Sequence, residues 1–179
     1  MPSPSLRSVF RAIAAAAAVT IAVAFVYAAV QQTYRCGADD PQLQLAADAA
    51  AALRAGAPVA AVVPAGTIDM AMSLAPIVIV YDAGDRPIAG SGRLGGVVPV
   101  PPHGVLERAR REGANRVSWM PRRSVRMAAV LQRVDDSSGR VVMAARSLRE
   151  VEEREARLGL MSALAWGALR GASVLAVGF

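Results

Sequence analysis

Five side chains in the middle of this sequence have the chemistry of a small-anion binding site. They are Tyr81, Asp82, Trp119, Arg126 and Arg146, and each lies in or at the end of a predicted β-strand. An arginine presents a planar fork of donors that matches a carboxylate, and an aromatic ring can form the apolar wall of a pocket. The pattern predicts a pocket for a small anionic metabolite. The structural alternative is that the aromatic residues pack in the core, Arg126 faces solvent and Asp82 shapes a turn.

Residue types that the chain lacks, or holds only once, exclude many enzyme classes. Cys36 is the only cysteine and His103 the only histidine, which excludes an internal disulfide and the usual metal-binding clusters of either residue. All 20 residues of the lysine and arginine class are arginines, so a Walker A loop, a Ser–Lys dyad and a Schiff-base lysine are excluded too. No nucleophile–base pair stands out, and His103 is expected in an exposed loop without a second ligand nearby. We therefore predict no enzyme, no metal site and no cofactor.

A glycine-rich motif and the positive net charge do not predict nucleotide or nucleic-acid binding. The stretch "GSGRLG" at 90–95 matches a dinucleotide fingerprint, but Pro99, Pro101 and Pro102 forbid the helix that must follow it, so we expect a loop. The net charge is +6, yet the arginines are scattered among acids without interleaved aromatic residues. That distribution does not predict nucleic-acid binding.

The N-terminal hydrophobic segment has the length of a membrane anchor. Residues 12–30, "AIAAAAAVTIAVAFVYAAV", carry no charge and approach the ~20 residues that cross a bilayer as a helix. Arg7 and Arg11 precede them, which predicts a cytoplasmic N-terminus (1–11) and a domain on the outer side of a bacterial inner membrane. The alternative is a cleaved signal peptide, since "VYA" at 26–28 offers small residues for cleavage.

The C-terminal segment 158–179 is predicted as a second, weaker transmembrane helix. It contains Arg170, which would lie near the middle of the bilayer. Either Arg170 contacts a partner within the membrane, or the helix enters only partway and the arginine lies at the interface.

The segment between, 31–157, reads as an α+β domain. Helices are predicted at 41–55 and 104–113 and a helical turn at 68–74, while strands are predicted at 77–82, 87–91, 116–120, 125–134 and 140–146. Ser147 and Glu150 form a capping-box pattern that begins a last, charged helix. The order predicts a five-stranded antiparallel sheet with flanking helices.

Several phrases resemble known bacterial sequences. They are "DPQLQLAADAAAALRAG", "SLAPIVIVYDAGDRPIAGSG", "GVVPVPPHGV" and "AARSLREVEERE". They resemble an uncharacterised family of small two-pass bacterial membrane proteins, and the element order resembles the extracytoplasmic PAS-like or single-Cache domains of histidine kinases and chemoreceptors. That resemblance implies a sensor-like or ligand-binding module. Because no output domain follows in the sequence, the module would act through a membrane partner protein or a homodimer. The alternative is a structural or accessory membrane subunit without a ligand.

Overall fold

The computed structural model describes the backbone of residues 6–37 and 40–178. Along the sequence, it contains five helices and seven strands within these residues. Some side chains at the helix ends, Cys36 and Arg170 among them, lie outside the described part. The helices are α1 (Leu6–Gly37), α2 (Asp40–Arg54), α3 (Val59–Val62), α4 (His103–Glu112) and α5 (Arg149–Gly178). The strands are β1 (Ile68–Asp69), β2 (Ile77–Tyr81), β3 (Pro87–Gly90), β4 (Gly92–Arg93), β5 (Ala114–Arg122), β6 (Val125–Arg133) and β7 (Val141–Ser147).

The chain divides into two compact units. The helix-pair unit comprises the described residues of 1–35 and 151–179, and the sheet unit comprises those of 36–150. The predicted domain 31–157 therefore has nearly the bounds of the sheet unit.

The sheet unit is built on a five-stranded antiparallel sheet in the order β3-β2-β7-β6-β5. The prediction of an α+β fold with five antiparallel strands and flanking helices is confirmed. The alternating burial of β5 and the nearly continuous burial of β7 reflect their positions, because β5 is an edge strand and β7 is central.

The two faces of the sheet carry separate cores. On one face, α4 packs on side chains that include Tyr81, Trp119 and Met127. On the other face, α2 packs its alanine stripe and Leu53 on valines of β2, β6 and β7. Because strand side chains alternate between faces, the parity of a residue within its strand decides which core it joins.

The predicted helical turn at 68–74 is wrong in its first half. Residues Ile68 and Asp69 form β1, which pairs in parallel with β4. The Ile68 N–H donates to Ser91 O (2.8 Å) and the Met70 N–H to Arg93 O (2.9 Å), so the pairing depends on a partner more than 20 residues away. Asp69 Oδ1 then accepts the Ala71 N–H (2.8 Å) and turns the chain.

Gly92, the second glycine of "GSGRLG", lies in β4 and pairs with Ile68. A Cβ on Gly92 would lie 2.6 Å from Ile77 Cδ1, so β4 can lie over β2 only where no side chain intervenes. Residues 98–102 after it are irregular, and the next helix begins at His103. Gly92 of this motif thus allows the small β1–β4 sheet to pack closely on β2.

In the helix-pair unit, α1 and α5 pack antiparallel. Trp166 Nε1 donates to Thr20 Oγ1 (3.0 Å), and a Cβ on Gly159 would meet the Tyr27 hydroxyl at 3.8 Å. The two contacts are seven residues apart on each helix, which is about two turns. Thr20 in turn donates to Ala16 O (2.8 Å), so its hydroxyl both donates and accepts.

One described stretch, Val9–Gln32, is long and apolar enough to cross a membrane. The predicted N-terminal apolar span is confirmed at that level, and its composition fits an anchor or a signal sequence equally well. The second predicted span, 158–179, is helical but is not such a stretch among the described residues, so the prediction of two spans is corrected to one candidate span. Small and polar residues such as Gly159 and Ser162 dilute its apolar content, and Arg170 would cost about 2.5–3.5 kcal/mol at mid-bilayer.

The turn between β6 and β7 yields a pH-dependent prediction. The Ser138 hydroxyl and the Arg140 guanidinium donate to Asp136 and lower its pKa to about 2. A lowered folded pKa contributes stability above the ordinary value of 3.8, and that stability is lost as the pH falls toward 2. We therefore expect the free energy of unfolding, measured with urea, to depend less steeply on pH in this window for Asp136→Asn than for the unaltered chain. Identical slopes for the two proteins would contradict the assignment.

Candidate ligand-binding groove

The predicted aromatic residues lie in the core on the α4 side of the sheet. Tyr81 is fully buried, and its hydroxyl donates to Pro99 O (2.8 Å). That burial raises the pKa of the Tyr81 hydroxyl, so it stays protonated. Trp119 is also buried in this core. Both positions match the structural alternative, in which these rings fill the core.

Asp82 shapes the turn between β2 and β3. Its Oδ1 accepts the N–H groups of Gly84 (2.9 Å) and Arg86 (2.8 Å). A carboxylate engaged with its own turn in this way fixes the backbone, as the structural alternative for Asp82 expected.

The two predicted arginines lie on the opposite face. Arg126 lies an even number of residues from Val130 in β6, and Arg146 an even number from Ala144 in β7. Both arginines therefore belong to the face of the sheet that packs on α2. Arg126 is exposed and engaged in an interaction of its own, while Arg146 donates to Leu74 O (3.2 Å) and Glu150 Oε2 (3.1 Å). The structure therefore does not bring the five predicted side chains into one pocket. The Arg170 side chain, predicted to contact a partner, lies outside the described residues.

A cluster that the sequence did not indicate joins Asp85, His103 and Arg110. Asp85 Oδ2 lies 2.5 Å from His103 Nδ1, and Asp85 Oδ1 lies 2.7 Å from Arg110 Nη2. Burial raises the pKa of Asp85, but the His103 contact and the Arg110 guanidinium lower it more, so its pKa lies below the usual carboxyl value. His103 remains largely exposed, as predicted, although it begins α4 and does not lie in a loop.

This cluster ties three segments together. Arg110 also donates to Asp82 O (2.8 Å) and Gly139 O (3.0 Å), so one guanidinium joins α4 to the β2–β3 and β6–β7 turns. Because Arg110 already neutralises Asp85, the carboxylate is poorly suited to a metal cation. The cluster therefore has a structural role, in which Arg110 holds the two turns against α4.

A cavity of the sheet unit lies between the second half of α2 and the end of β6. It has a volume of about 330 Å³. We call it the α2–β6 groove, and it is lined by Ala47, Asp48, Ala50, Ala51, Arg54, Gln132, Arg133 and Asp135. The small alanine side chains of α2 leave the space, and charged groups surround it.

The charged residues of the groove differ in how fully they are engaged. Arg133 donates to Asp135 Oδ1 from Nε (2.9 Å) and to Arg110 O from Nη1 (2.7 Å), so it is held in place. Arg54 reaches Asp135 only at 3.9 Å and is half exposed. Within the described residues, the Gln132 side-chain amide makes no hydrogen bond. Sequence analysis missed this site because its residues come from two segments about 80 positions apart, with no motif in either.

No family model, curated protein or solved structure matches this chain. The groove therefore has to be interpreted from its own geometry.

Proposed function

We propose that this protein is a membrane-anchored, sensor-like module whose sheet unit binds a small ligand in the α2–β6 groove and acts through a membrane partner. The observation that carries the proposal is a groove of about 330 Å³ with charged side chains around an apolar floor. The sheet unit that bears it belongs to a chain with a candidate membrane helix.

Retention of α1 as an anchor is supported by its packing against α5. If α1 were removed as a signal peptide, Trp166 would lose Thr20 and the small-residue side of α5 would lose its cover. Large apolar side chains of α1 such as Phe10 and Phe25 are exposed, as expected for a helix that contacts lipid. In the proposed arrangement, α1 anchors the chain in the bacterial inner membrane, the N-terminus is cytoplasmic and the sheet unit is outside.

The PAS/Cache-like character of the sheet unit also belongs to the proposal. It is supported by five antiparallel strands in which the first long strand, β2, pairs with the last, β7. Because fold alone does not define function, the ligand-binding role depends on the groove.

Two measurements on the full-length chain in mild detergent test this function. The mass of the membrane-extracted protein should include residues 1–28, and a topology reporter at Val100 should read as extracytoplasmic. The melting temperature should rise with at least one member of a library of small metabolites, because a ligand that binds only the folded state stabilises it. A chain shortened at its N-terminus, or a melting temperature unmoved across the whole library, would count against the proposal.

A structural or accessory role is the second candidate, and one observation favours it. β5 is a nine-residue edge strand, whereas the other edge, β3, has four residues and begins with a proline. A long edge offers unpaired backbone groups to a partner strand. Recovery of a stable membrane partner together with no ligand response would support this alternative.

A further inference from the structure

We propose that the α2–β6 groove selects a zwitterion of the α-amino-acid class with an apolar side chain, over a purely anionic ligand. The inference rests on the proposed ligand-binding function and deepens it by naming the ligand class.

The charge lining the groove is balanced. Arg54 and Arg133 contribute two positive charges, and Asp48 and Asp135 contribute two negative charges. An anion alone would lie beside two carboxylates, which repel it and partly offset the arginines. A ligand that carries both an ammonium and a carboxylate group can match both signs at once.

The carboxylate end of the ligand would face Arg54 and Gln132. Arg54 forms a long ion pair with Asp135 at 3.9 Å, so its guanidinium can turn to a stronger partner. Gln132 adds a donor amide that makes no hydrogen bond within the described residues. Arg133 is committed to Asp135 and Arg110, so it holds the wall of the groove and leaves recognition to Arg54.

The ammonium end would face Asp48. Its Oδ1 accepts from Gln44 Nε2 (2.7 Å), while no hydrogen bond or ion pair within the described residues engages its second oxygen. Ala47, Ala50 and Ala51 supply an apolar floor, because 47, 50 and 51 recur at helical spacing on one side of α2. An aliphatic side chain fits that floor, whereas a second charged group would find no complementary partner there.

Calorimetric titration of the full-length chain in detergent tests the inference with three probes. They are L-leucine, 4-methylpentanoate, which lacks the ammonium, and 3-methylbutylamine, which lacks the carboxylate. We expect L-leucine to bind at least about tenfold more tightly than either analogue, since each analogue leaves one charged partner unmatched.

Variants assign the contacts. We expect Asp48→Asn to abolish the preference for L-leucine over 4-methylpentanoate, and Arg54→Gln to weaken both by about tenfold. Ala51→Leu should remove binding by filling the groove at an exposed helix position that costs little stability. The matched control is Arg123→Gln, an exposed arginine in the β5–β6 turn outside the groove, which should bind all three probes as the unaltered chain does.

The outcomes separate the ligand class from the function. Equal binding of L-leucine and 4-methylpentanoate, lost in Arg54→Gln, would overturn the zwitterion and leave a ligand-binding module with an anionic ligand. The same holds if no amino acid binds but another metabolite raises the melting temperature and Ala51→Leu removes that rise. No response to any small molecule would remove the proposed function itself.

Discussion

Replacing Arg110 with methionine is expected to lower the free energy of unfolding of the sheet unit by about 2–4 kcal/mol. Arg110 is mostly buried, pairs with Asp85 and donates to two backbone carbonyls, Asp82 O and Gly139 O. Methionine keeps an unbranched apolar stem but removes all three contacts. The partly buried Asp85 carboxylate and both carbonyls would then lose a charged donor, and that desolvation cost is larger than the net gain of forming one hydrogen bond.

Urea unfolding at neutral pH measures this loss. Arg108→Met is the matched control, because Arg108 lies on the same helix, is more than half exposed and pairs with Glu112 at i+4. That control should cost less than about 0.5 kcal/mol. Similar losses for both variants would show that Arg110 acts as an ordinary surface residue.

The pH dependence of the same variant has a defined sign. In the unaltered chain the pKa of Asp85 is lowered, so its contacts contribute stability above the ordinary carboxyl value and lose it as the pH falls. Without Arg110 the pKa of Asp85 is lowered less. The stability difference between the two proteins should therefore shrink in acid.

The second large effect has the opposite sign, since Gln42→Leu is expected to raise stability by about 1–3 kcal/mol. Gln42 is fully buried at the start of α2, and among the described residues neither side-chain amide atom has a hydrogen-bond partner. It lies on the same side of α2 as Ala46, Ala49 and Leu53, which pack on the sheet. A leucine of similar volume removes the unmatched polar group and keeps the packing.

Gln44→Leu is the control for this substitution. Gln44 is exposed on the same helix and donates to Asp48, so its replacement should change stability little. Thermal or urea unfolding of both variants decides the matter. A destabilised Gln42→Leu protein would mean that a molecule such as a buried water satisfies the amide, and Gln42 would then belong to a polar site.

The features that sequence analysis predicted well are the local ones. The β2–β3 hairpin and the start of α2 next to Pro41 depend on residues within a few positions, and both are present in the structure. The alternation predicted for β6 is wrong beyond Arg126, because this inner strand is buried on both faces from Met127 to Leu131. The parallel pairing of β1 with β4 was missed because its hydrogen bonds join segments over 20 residues apart.

The predicted pocket shows why site prediction is harder than fold prediction. Residue types suggested that Tyr81 and Arg126 could share a pocket, but their faces depend on the register through β7, which pairs Tyr81 with Val141 and Ala128 with Arg146. A slip of one residue in that register would exchange the faces. The same dependence hid the groove, whose wall joins α2 to the far end of β6.

The hydrogen bond from Trp166 to Thr20 affects how the chain can be shortened to obtain the sheet unit. Trimming the N-terminal helix by itself would remove the Thr20 hydroxyl that accepts from Trp166 and would expose the small side chains of α5 that α1 covers. The shortened protein would self-associate through that surface. Both ends of the chain have to be cut back together, to about residues 36–150, for the sheet unit to be studied by itself.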